Sequence, residues 1–156
     1  MIYTKNYFGK ETIDEISYED VVNFFSEEQQ ESDKIEFKSF IVSDKSDRKG
    51  DSLKDKENGV IKSISGFLNS EGGMLIWGSP AGEIVEGKKE KVFKGQLSLV
   101  EQLYEKDQFI SKLTDSITPI QEEFYSIGLS MKENIYICLK LRRVNIHLIN
   151  LIIGFT

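Results

Sequence analysis

The chain has 156 residues, 39% of them apolar, a formal charge of −6, one cysteine and one histidine. That length and apolar content fit a single domain with its own core. They leave no internal disulfide framework and almost no room for a Cys/His zinc site within one chain. The Met-Ile-Tyr-Thr start lacks the basic and apolar regions of a signal peptide, and no apolar run is long enough to cross a bilayer. A cytoplasmic, reducing setting with no membrane partner is therefore the expectation. The acidic balance argues against a strong non-specific binder of phosphate backbones, which ordinarily presents a basic face. Any such binding needs a local basic patch, or carboxylates holding a divalent cation that bridges to phosphate.

In chain order, Ser17 to Glu28 reads as a short helix with Val21, Val22, Phe24 and Phe25 on its apolar side. Ser17 is the expected N-cap and Asp20 stands in the capping-box position. Glu27 to Asp33 is polar. Ile35 to Val42 alternates as a strand through Ile35, Phe37 and Ile41. Ser43 to Lys56 is dense in charge and reads as a solvated loop, a place where ligands are often touched. Val60, Ile61, Ile64, Phe67 and Leu68 have helical spacing. Asn69-Ser70-Glu71-Gly72-Gly73 closes that helix, and Met74 to Trp77 follows as a buried strand. Paired glycines allow the positive φ and close backbone approach that such a reversal needs.

Ser79 to Gly82 reads as a turn and Glu83 to Glu86 as a short return strand. Lys88 to Lys94 carries four lysines around Val92 and Phe93 and is expected to be a solvated loop. Lysines interleaved with an aromatic can also contact a phosphate backbone and stack a base. Leu97 to Ile117 reads as one or two helices, with Leu99, Val100, Leu103, Phe109, Ile110, Leu113 and Ile117 turned inward. Pro119 breaks the pattern. Phe124 to Met131 and Ile135 to Leu141 form a hairpin signal around Lys132-Glu133-Asn134. The order β-α-β, α, ββ, without internal repeat, predicts an α/β (α+β) fold. This is a single compact domain whose mixed or antiparallel sheet is packed by helices.

Two segments stand out for chemistry. The first is Glu31-Ser32-Asp33-Lys34-Ile35-Glu36-Phe37-Lys38; the second is Phe67-Leu68-Asn69-Ser70-Glu71-Gly72-Gly73-Met74-Leu75. If the chain turns at Ser32-Asp33, the Glu31 and Glu36 carboxylates converge, and converging carboxylates bind Mg2+ or Mn2+. The competing reading has Glu31 solvated and Glu36 paired with Lys38 or Lys62. Exposed N–H groups at the glycine turn can form an anion nest, although helix capping alone accounts for the glycines. No G-K-[ST] follows, so this is not a phosphate-binding loop of the Walker type. Trp77, inside an apolar run, is expected in the core rather than as a stacking platform. Cys138 is expected to be an inert buried thiol. Arg142-Arg143 is a second small basic pair, and His147 has no sequence neighbour that would make a catalytic dyad.

Taken together, E-S-x-x-I-E-F-K and F-L-N-S-E-G-G-x-L-x-x-G resemble the Schlafen AlbA_2 domain, from about Glu31 to Leu141. The resemblance implies a nucleic-acid-binding domain, of RNA or DNA, often a module of bacterial regulators or defence proteins. Its RNA-cleaving relatives act on tRNA-like RNA. In those, an E-x4-E pair, matched here by Glu31 and Glu36, supplies two of three metal-binding catalytic acids. The third is an aspartate just after the strand's closing glycine. This chain has Gly78-Ser79-Pro80-Ala81-Gly82-Glu83 there, with no aspartate. Some relatives carry an ATP-binding label that no residue here independently supports.

The chain is expected to divide into a helical lead-in over residues 1–30, the Schlafen AlbA_2-like domain over 31–144 and an atypical apolar tail over 145–156. Relatives carry a Ser-Pro-His-like segment with aromatics after the last strand. This tail, back-translated with chosen codons, yields one in another frame, so a frameshifted or truncated end is the expectation. The alternative is a genuine final strand. Lys38, Lys62, Lys88, Lys89, Lys91 and Lys94 are the candidate phosphate contacts. Three functions follow: a nucleic-acid-binding protein, a metal-dependent endoribonuclease, or a non-catalytic or degenerate interaction module. A homo-oligomer is left open.

Overall fold

The computed structural model describes residues 2–40, 53–98, 108, 111, 112, 115, 116, 126–132 and 135–141. Its elements are α1 (Ile2–Phe8), α2 (Tyr18–Phe24), β1 (Ile35–Lys38), α3 (Leu53–Leu68), β2 (Met74–Trp77), β3 (Gly82–Glu83), β4 (Val92–Phe93), β5 (Ser126–Lys132) and β6 (Ile135–Leu141). A four-stranded mixed sheet runs in the order β1-β2-β6-β5, with β1 and β2 parallel and the other pairs antiparallel. β3 and β4 form a separate two-stranded arm.

The alternation along β1 and β2 divides the molecule into layers. Ile35 and Phe37 of β1 and Met74 and Ile76 of β2 join a core with Ile13, Ile16, Val21, Phe25 and Phe93. An aromatic chain binds this layer: Phe25 lies 5.1 Å from Phe37, and Phe37 lies 5.0 Å from Phe93, both edge to face. The opposite side chains, Glu36 and Lys38, share register with Leu75 and Trp77. Helix α3 packs against β1, β2 and β6, and its Val60, Ile64 and Phe67 are buried. All four residues of β2 are buried, as a strand covered on both faces requires.

Local chemistry explains the element ends. Ser17 Oγ accepts from the Asp20 N–H at 3.1 Å, and the Asp20 carboxylate accepts from the Ser17 N–H at 2.8 Å, a complete capping box. Gly72 has φ +99°. A Cβ on Gly73 would stand 2.4 Å from the Phe67 ring. The two glycines thus meet the two needs read from the sequence, a left-handed turn and a close approach. Trp77 is fully buried and stacks on Phe40 at 4.2 Å.

Several expectations are corrected. Helix α2 stops at Phe24, short of Glu28, and Val22 is exposed rather than part of the apolar face. The helical lead-in expected over residues 1–30 includes a second helix, α1, whose Tyr3, Tyr7 and Phe8 pack on the core. The return strand is Gly82–Glu83 rather than Glu83–Glu86, and its partner is Val92–Phe93, inside the segment read as a solvated loop. The Val92 and Phe93 side chains are buried, which fastens this arm to the core. The first hairpin strand, Ser126–Lys132, includes Lys132, and Phe124 and Tyr125 lie outside the described residues. Residues 108, 111, 112, 115 and 116 are helical. Ile41, the 43–52 part of the charged loop, the inward-facing residues proposed between Leu99 and Ile117, Arg142-Arg143, His147 and the 145–156 tail lie outside the described residues. Cys138 lies on β6, opposite Leu75 and Leu129.

Candidate functional site

The acids of the E-x4-E segment lie near each other at β1, the end strand of the sheet order, close enough for the Glu36 charge to act on Glu31. The chain turns sharply before the strand. The Ser32 N–H donates to the Ile35 carbonyl at 3.0 Å, and the Lys34 N–H donates to Ser32 Oγ at 3.2 Å. This turn folds Glu31 back beside β1, where its Oε1 accepts from the Phe37 N–H at 2.9 Å. In a parallel pair with β2, the β1 groups that face β2 belong to alternate residues, and the Lys34 and Lys38 carbonyls accept from Met74 and Gly78. The Ile35 carbonyl and the Phe37 N–H therefore face the other edge, where Ser32 and Glu31 take them up.

Burial lifts the Glu31 carboxyl above the usual carboxylate range. The Phe37 hydrogen bond opposes that lift, and the nearby Glu36 charge adds to it. Glu36, from the adjacent outward position of β1, accepts from Lys38 Nζ and from Ser63 Oγ on α3, the latter at 3.1 Å. Glu36 thus sits between its own strand and the helix, in the lysine pairing that the sequence offered as the alternative to metal binding. Lys38 and Lys91 both lie close enough to Glu31 to favour its ionised form.

The lysines reach this edge through one backbone bridge. Gln29 and Phe93 exchange both hydrogen bonds, 3.0 and 2.9 Å, in antiparallel sense. In that register Glu31 stands opposite Lys91 and Glu28 opposite Lys94. Lys88 reaches back from the β3–β4 arm to bond the Glu28 carboxylate, which Lys88 first and Lys94 second hold below the usual range. Lys89 is exposed on the arm and Lys62 on α3. The structure brings Glu31, Glu36, Lys38 and Lys91 together at one edge, with Lys88 and Lys94 beside it at Glu28.

Phe93, read as a base-stacking partner for these lysines, is buried against Phe37 and cannot stack a base. Glu83, the acid nearest to the missing aspartate, is exposed on β3. Among the described residues no group of three or more His, Cys, Asp or Glu is placed to hold a metal ion. The glycine turn is tied down: the Glu71 carbonyl accepts from Tyr3 at 3.2 Å, and its carboxylate lies 3.6 Å from Lys34. Sequence reasoning missed Ser63 and Glu28. Ser63 sits one residue after Lys62 on a helix whose phase to β1 is a tertiary matter. The apolar Val92-Phe93 pair inside the lysine run was the available signal for the strand that recruits Glu28. No helix among the described residues is long and apolar enough to cross a membrane.

Residues 31–148 match the family model described as Schlafen, AlbA_2, which covers well over half of the chain. No curated protein and no solved structure matches the chain. From the acidic turn through β6, the chain belongs to the Schlafen AlbA_2 family.

Proposed function

We propose that this is a nucleic-acid-binding domain whose contact surface is the outer edge of β1 together with the β3–β4 arm. The supporting observation is the Gln29–Phe93 bridge, which sets Lys91 and Lys94 beside a strand edge that already carries Lys38. Membership of a nucleic-acid-related family supports the same reading. With a net charge of −6, binding relies on a local patch against a repulsive background. Its affinity is modest and falls steeply with salt.

The test is fluorescence anisotropy with a labelled RNA hairpin and a DNA duplex, across a NaCl titration. The Lys91→Ala/Lys94→Ala variant is expected to weaken binding and to reduce the log–log salt slope by about 2, near 0.9 per lost phosphate contact. An unchanged slope, or no binding by the folded wild-type chain, overturns this reading.

A second reading, metal-dependent cleavage of tRNA-like RNA, is favoured by the nearness of Glu31 and Glu36. The donor set is short. Glu36 already accepts from Lys38 and Ser63, Glu31 from Phe37, and no third acid joins them among the described residues. Mg2+ is six-coordinate and takes most of its oxygens from water and substrate phosphate, so two carboxylates could serve it only by giving up the protein donors that they now accept from. Incubation of labelled tRNA with Mn2+, beside a Glu36→Gln lane and a chelator lane, decides it. Cleavage by the wild type alone, and only with metal, supports the endoribonuclease; intact tRNA in every lane removes it.

A further inference from the structure

Glu28 belongs neither to the E-x4-E pair nor to the core. It is the last acid before the bridge, and Lys88 of the arm reaches it, with the Lys94 charge nearby. Lys88 bonds its carboxylate, and Lys94 stands opposite in the bridge register. About half of the Glu28 side chain is exposed, as is about a third of Lys88. The pair is thus open to competition from a solvent-borne anion. A carboxylate and a phosphate oxygen compete for the same ammonium donors. We propose that Glu28 acts as an internal phosphate mimic, occupying Lys88 in the free chain, with Lys94 nearby, and yielding it when a polyanion binds. This rests on the nucleic-acid-binding reading above and adds its regulation.

The physical case is one of exchange. An exposed ion pair is weak and screened by salt, so a polyanion presenting many phosphates displaces it readily. After displacement, Glu28 is left beside the incoming phosphates and repels them. Glu28 therefore lowers affinity twice, by occupying the donors and by opposing the ligand. The arm's shape does not depend on this pair. The Gln29–Phe93 bridge, the β3–β4 pairing and the burial of Val92 and Phe93 hold it. A change at Glu28 should leave the fold intact.

The experiment compares Glu28→Gln with Glu27→Gln, an exposed neighbour that removes the same charge. Both are titrated into the labelled RNA hairpin at several NaCl concentrations, with circular dichroism to confirm folding. Glu28→Gln is expected to bind about three- to fivefold more tightly at low salt, the range of one exposed ion pair, and Glu27→Gln markedly less so. The Glu28→Gln salt slope should also rise, by up to about 1 for the added phosphate contact. Equal gains in the two variants reduce the effect to net charge and overturn the gate. An unchanged Glu28→Gln affinity beside a binding wild type overturns the gate and leaves the binding reading standing. Absence of binding in the wild type and both variants removes both.

Discussion

The Glu31 carboxylate accepts a hydrogen bond from the Phe37 backbone N–H, 2.9 Å away across the turn at Ser32-Asp33. An acid from the candidate site thus also closes the edge of β1. The first prediction separates these roles. Glu31→Ala leaves the Phe37 N–H without its acceptor and is expected to cost about 1–2 kcal/mol. Glu31→Gln keeps a carbonyl acceptor and is expected to stay closer to the wild type. Urea unfolding midpoints of the two variants check the difference.

The raised Glu31 carboxyl carries a pH signature of defined sign. The folded chain holds the Glu31 proton more readily than the unfolded chain, whose reference is 4.5. The associated stability is full below that value and is lost as pH rises through the folded value. Glu31→Gln removes this loss. Its stability relative to the wild type should therefore improve as pH rises above 4.5. A pH-independent difference between the two chains would refute the burial argument.

The two glycines of the helix-to-strand turn should respond differently. Gly72→Ala places a Cβ at φ +99° and is expected to cost about 1 kcal/mol or more. Gly73→Ala drives a methyl into the Phe67 ring and is expected to cost about 1–3 kcal/mol. Shrinking the ring with Phe67→Leu should recover part of the second cost and none of the first. A double-mutant cycle in thermal unfolding reads this directly.

Ser98 ties the ends of β1 and β2 together. Its Oγ accepts from the Phe40 N–H at 2.8 Å and donates to the Ser79 carbonyl at 2.5 Å, while its N–H donates to the Gly78 carbonyl at 2.9 Å. Ser98→Ala removes the side-chain relay and is expected to cost about 2 kcal/mol, since it strips both a donor and an acceptor from a buried site. Hydrogen exchange at the Phe40 amide should accelerate with the loss of that bond. An unaltered Phe40 exchange rate would show that the relay is not what protects it.

Local rules made much of this chain legible. The capping box needs only Ser17 and Asp20, three residues apart. The Gly72-Gly73 turn needs a left-handed backbone and a small side chain where the helix ends. The β5–β6 hairpin follows from two alternating runs around a short polar link. The bounds of helix α1 were not legible within the helical lead-in, because seven residues carry little local signal and its aromatics matter only against α2 and the core.

The candidate site divides along the same line. The sequence alone determined the residues of the site, the spacing of Glu31 and Glu36, the family and the lysine run, because each is a matter of identity or short separation. It also posed Lys38 or Lys62 as the partner of Glu36, and the structure pairs Glu36 with Lys38. Only the tertiary structure decided that Phe93 is buried, that Lys91 stands opposite Glu31 in the bridge register, and that Glu28 holds Lys88. Those facts follow from the pairing of Gln29 with Phe93, far apart in the chain. Packing of Phe93 among Ile13, Val21, Phe25 and Phe37, residues distant from it in the chain, accompanies that pairing, and no local preference encodes it.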